Sequence, residues 1–160
     1  MTDPRPTAPA RAPSASAEDR CALALRHAFA DACPSVAAAT PLDRWSDAPQ
    51  EGPCVRVSAE PAAWVVDESG APVAGVLDLS AELSAPLADG AELAAMRDEA
   101  SRWLADAASV AEALADALGA PCAWLYVGED AARADGLRAI STFTGSLTLG
   151  AMPSDDNRGD

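Results

Sequence analysis

One histidine, four cysteines and three neighbouring carboxylates are the side chains in this sequence whose chemistry could do work. The histidine is His27, and the cysteines are Cys21, Cys33, Cys54 and Cys122. A thiol nucleophile needs a base beside it, yet no local Cys–His signature surrounds any of the four. No two cysteines stand in C-x-x-C spacing, so a structural zinc site, which normally shows tight ligand pairs, is not expected. Asp67, Glu68 and Asp78 lie close enough in sequence to suggest an acid pair. Asp67 and Glu68, however, fall where a turn is expected, and acidic residues are common there for conformational reasons. A phosphate loop of the form G-x-x-x-x-G-K-[ST] is missing, and there is no lysine to fill one. Arg158-Gly159-Asp160 spells an adhesion tripeptide, which reads as chance without a secretion signal. The expectation is a protein that is not an enzyme and that holds no metal and no cofactor.

The charge balance narrows the partners. Against 25 acidic residues stand 11 basic ones, all arginine, for a net charge of −14. Phosphate backbones and anionic membrane surfaces attract clustered cations, so neither sequence-specific nucleic acid nor membrane is an expected partner. No apolar stretch approaches the ~20 residues of a membrane span. The N-terminal MTDPRPTAPARAPSASAEDR has no apolar core of a signal peptide, so the expected location is the cytoplasm, with reduced cysteines.

What must position these residues is one small core. Alanine accounts for 40 of the 160 residues, and large apolar side chains are few. Residues 1–16 lack Leu, Ile, Val and aromatics and read as a disordered arm, and 152–160 as a disordered acidic tail. A single domain is expected over 17–151. Cys21, Leu25, Ala28, Phe29 and Ala32 recur at helical spacing, predicting a first helix at 17–32 after Ser16 as cap, closed by Pro34. Prolines at 34, 41, 49 and 53 leave room for a short strand at 36–40 and then a loop, with Trp45 folded back on the core.

From Cys54 the period changes to two. Val55, Val57 and Ala59 alternate with Arg56, Ser58 and Glu60, and a hairpin turns through 67–70. Leu77, Leu79, Ala81 and Leu83 continue on one face, opposite Asp78, Ser80 and Glu82. Asp89–Glu92 resembles a capping box, and apolar residues at steps of three and four from Leu93 to Leu118 predict one long helix over 90–118, stopped by Gly119 and Pro121. Two strands follow, at 123–127 and 136–150, the second with an expected bend or bulge at Gly145. Strands grouped before and after one helix imply an α+β fold: a mostly antiparallel sheet of about 4–6 strands, with the N-terminal helix and one long central helix packed on one face. Trp64 and Trp124, on predicted strands, fit core anchors and subunit contacts equally; Trp103 reads as core.

In that order of elements the chain resembles phage and prophage tail terminators, also called tail completion or minor tail proteins. The likeness rests on LALRHAFADAC in the first helix, on GVLDLSAEL before EASRWLADAASVAEALADAL, on PCAWLYVG before an acidic loop, and on the closing GLRAISTFTGSLTLG. The resemblance implies a ring homo-oligomer, often a hexamer, that caps the tail tube and meets tail-tube and head-connector proteins, in the host cell or the virion. It implies no catalytic residue. A small domain poor in large apolar side chains gains by burying surface between subunits, which points the same way. An interface placing Arg138 against Asp78 or Glu82 of a neighbour, with Trp64 and Trp124 nearby, is the expected contact. The alternative is a small acidic binding module such as a secretion chaperone.

Overall fold

The computed structural model describes residues 17–43, 51–66, 68–69, 72–130 and 133–150. The readings of the 1–16 arm, the 152–160 tail, Trp45, Asp67 and Arg158–Asp160 lie outside them. Six strands form one mixed sheet in the order β1-β2-β3-β6-β4, with β5 beside β6. They are β1 Thr40–Leu42, β2 Cys54–Val66, β3 Pro72–Pro86, β4 Cys122–Glu129, β5 Arg133–Asp135 and β6 Arg138–Gly150. Only β1 runs parallel to its neighbour. The helices are α1 Ala17–Ala32, α2 Pro34–Ala37, α3 Gly90–Leu104 and α4 Ala107–Leu118. This is the α+β fold expected, with the sheet mostly antiparallel.

The period of two decides which face is covered. Val55, Val57 and Ala59 on β2, Leu77, Leu79, Ala81 and Leu83 on β3, and Phe143, Leu147 and Leu149 on β6 are all buried. Register stacks them in rows: Val57, Ala81 and Phe143 share one, and Ala59, Leu79 and Gly145 the next. Over this face lie Cys21, Leu25 and Phe29 of α1, Met96, Ala100 and Leu104 of α3, and Val110 and Leu114 of α4. Phe29 also stacks on Trp103, with ring centroids 5.6 Å apart, tying α1 to α3. Trp103 is thus packed against the core, as expected.

Two local elements differ from the sequence reading. Residues Pro34–Ala37 form a helical turn and the strand begins at Thr40, so the predicted strand at 36–40 is displaced. Proline suits the first helical position. The Glu99 carboxylate, from α3, accepts both the Ser35 N–H (2.9 Å) and the Ser35 hydroxyl (2.5 Å). That stabilising partner is 64 residues away in sequence, so local pattern could not show it. The second difference is a break in the 90–118 helix at Ala105 and Asp106. Asp106 caps α4, accepting from the Ser109 N–H and hydroxyl at 3.3 and 2.7 Å. The break frees the Leu104 carbonyl from the helical ladder, and the Trp124 indole N–H donates to it at 2.8 Å.

The irregularity expected at Gly145 lies opposite it, on the neighbouring strand. β6 keeps unbroken register with β3 from Arg138 to Gly150, and the shift sits on β4 between Tyr126 and Gly128. Gly145 is small for another reason: a Cβ there would stand 2.2 Å from the Trp124 ring.

Candidate subunit interface

The residues that bear on an interface divide into three groups, of which sequence reading named the first two. Arg138 and Glu82 are engaged within their own chain. The Arg138 Nη2 donates to the Gly52 carbonyl at 3.0 Å and to the Ser84 hydroxyl at 3.1 Å. Glu82 faces Arg56 across the β2–β3 pair, with 3.9 Å between Nε and Oε2. Within the chain the Arg138 guanidinium ties the 52 turn to β3 and β6. Asp78 is exposed on the face of the sheet that carries no helix. It stands in a row with Glu60 and Ser146.

Trp124 and Trp64 form the second group. Trp124 is only 6% exposed, so it is a core anchor and not a surface residue. Trp64 is 41% exposed. Both lie on edge strands and both rest on a glycine. A Cβ on Gly75, which pairs directly with Trp64, would stand 2.2 Å from its ring, as one on Gly145 would from Trp124. Only glycine lets an indole lie so close to a neighbouring backbone.

The third group escaped sequence reasoning. Leu125 and Val127 on β4 are 66% and 68% exposed, and Val65 on β2 is 52% exposed. Alternation on β4 turns Trp124 and Tyr126 toward the helices, which sends Leu125 and Val127 to the open face. The signal was there as strict alternation, but apolar residues at both parities hid which set faced inward. Among the described residues, β4 pairs only with β6, and β2 beyond Arg56 pairs only with β3. Both sheet edges thus offer unpaired main-chain groups beside exposed apolar side chains.

The histidine and the thiols do not share a groove. His27 is exposed on α1. It lines an open groove of about 580 Å³ between α1 and α4, with Asp31, Asp116 and Trp103. Burial pushes the Cys21 thiol up to about 11, aided by the nearby Cys122. Burial likewise pushes Cys33 up to about 11, with Glu99 adding to the rise. Both are protonated at neutral pH and packed as small apolar groups. Burial would raise the Glu129 carboxyl, but hydrogen bonds from Arg97 and Ser141, each 2.6 Å, hold it below its ordinary value. That cluster fastens the end of β4 to α3 and β6. Among the described residues no three His, Cys, Asp or Glu side chains converge on a metal-sized site, and no helix is long and apolar enough to cross a membrane. No family model matches the chain, and the curated proteins searched yield no significant match.

Proposed function

We propose that this chain is a structural subunit of a phage or prophage tail, a terminator-like protein that closes into a ring, possessing no catalytic step. The ring caps the tail tube and meets the head connector. One observation carries the reading: the helices cover a single face, and of the seven exposed large apolar side chains among the described residues, Trp64, Val65, Leu125 and Val127 sit at the two edges of the sheet. A subunit with two unlike sticky edges joins head to tail, and such contacts close into rings when the rotation allows. The element order, with paired strands either side of the helical segment, is in keeping with the resemblance to tail terminators. The strongly negative charge suits a surface that does not adsorb nucleic acid.

The test is assembly. Purified protein mixed with tail tubes is expected to cap one tube end and to halt further growth, seen by electron microscopy. Tubes that grow to the same lengths with and without the protein would exclude the reading.

A second reading, an acidic binding module, is favoured by the groove between α1 and α4. Its walls are alanine-rich and its rim carries Asp31 and Asp116, which suits a basic helical client. A dimer that binds such a client and ignores tail tubes would select it.

A further inference from the structure

Two short segments at opposite ends of the sheet share one pattern. Pro61-Ala-Ala-Trp64-Val65 on β2 and Pro121-Cys-Ala-Trp124-Leu125 leading into and along β4 both read P-x-A-W-aliphatic. Each tryptophan lies over a cross-strand glycine, Gly75 or Gly145. Each following aliphatic residue, Val65 or Leu125, is exposed. Both segments border on a free edge among the described residues. From Pro61 to Val66 and from Pro121 to Gly128 neither contains a charge, in a chain of net charge −14. Two copies of so acidic a protein repel one another, so a contact between them belongs where charge is missing.

We infer that these segments pair with each other between neighbouring copies: β4 of one copy adds to the 62–66 edge of the next. The contact rests on the ring reading above and specifies where its subunits meet. Strand direction permits it. Each of the steps β2 to β3, β3 to β6 and β6 to β4 is antiparallel. A copy placed alongside in the same orientation therefore presents its β2 antiparallel to β4. Face matching then sets the register. Trp124 stands opposite Trp64 of the neighbouring copy on the helix side. Leu125 stands opposite the neighbour's Ala63, and Ala123 opposite its Val65, large against small on the open side. The pairing starts past Pro61, because proline offers no main-chain donor and the β2 register shifts between Pro61 and Ala63. At the far end of β4, Glu129 is already compensated by Arg97.

A β4–β4 contact about a twofold axis would also be antiparallel. It would leave Trp64 and Val65 of both copies uncovered, whereas the head-to-tail contact covers Trp64, Val65 and Leu125 with a single repeated joint.

The experiment uses the full chain, with Val65→Asp and Leu125→Asp made separately and mass measured by light scattering. Both positions are exposed, so circular dichroism and urea midpoints are expected to match wild type. Should Leu125→Asp fail to fold, Leu125→Ser serves in its place. Each variant alone is expected to lose the wild-type oligomer, with at least a tenfold weaker association. An equal mixture is expected to give a one-to-one pair and nothing larger, because one intact joint remains. If Leu125→Asp dissociates and Val65→Asp does not, the contact is the twofold one and the head-to-tail inference fails. If wild type assembles and neither variant changes its mass, the ring reading stands and this contact is refuted. If wild type is monomeric at every concentration, the ring reading fails and the contact falls with it.

Discussion

β2 and β4 solve the same local problem and end in different surroundings. Each carries a tryptophan laid over glycine and an aliphatic residue on the opposite face. On β4 the helix layer covers the ring, and the break between α3 and α4 supplies a carbonyl for the indole N–H. On β2 the tryptophan lies at the outer end of the β2–β3 hairpin and remains 41% exposed. Local pattern put both rings on the helix side; the reach of the helices decided which one became core. A residue type and its strand position therefore do not fix burial, and the β2 copy of the motif stays uncovered.

The sharpest break in this comparison is truncation of the two rings. Trp124→Ala removes a buried aromatic and an indole hydrogen bond, and is expected to cost about 3–5 kcal/mol in urea unfolding. Trp64→Ala is expected to cost under about 1 kcal/mol in the dissociated protein, since much of its ring is already in water. Equal losses would mean that the two rings are not differently covered. The glycines give a second, smaller contrast. Gly145→Ala forces the buried Trp124 ring to shift and is expected to cost about 1–3 kcal/mol. Gly75→Ala, whose colliding ring can swing into solvent, is expected to cost less. Next comes the helix break that Trp124 uses: Asp106→Ala is expected to lose about 1 kcal/mol through the α4 cap.

The pH dependence is smaller and has a clear sign. Hydrogen bonds from the Ser35 hydroxyl and N–H hold the Glu99 carboxyl below its usual range. A carboxyl lowered in the folded state contributes stability above its unfolded value of 4.5, and that contribution is lost as pH falls through the folded value. Ser35→Ala is expected to flatten this acid limb of the stability profile. At the other extreme, the thiols of Cys21 and Cys33 are raised from 9.0 to about 11. Folding keeps them protonated, so their contribution is intact below pH 9.0 and is lost as pH rises toward about 11. Cys33→Ala is expected to reduce that alkaline loss, read as urea midpoint against pH.

Much of the fold was legible because two periods, 2 and 3.6, are cleanly written. Leu77 to Leu83 and Leu93 to Leu118 both gave their buried faces in advance. Three features were not legible, and two of them depend on contacts across the chain. The turn at Pro34–Ala37 is held by Glu99. The α3–α4 break did have a local sign, the Asp106-x-x-Ser109 cap, but unbroken apolar spacing on both sides outweighed it. The edge residues Leu125 and Val127 sit in a strand apolar at both parities, so only the position of α4 shows which side is open.

The central claim is that this chain works by joining copies of itself through its sheet edges. Light scattering of the wild-type protein over a wide concentration range tests it most directly. A ring of about six subunits, several times the 16.2 kDa of one chain, is the predicted result. A species of 16.2 kDa at every concentration would contradict it.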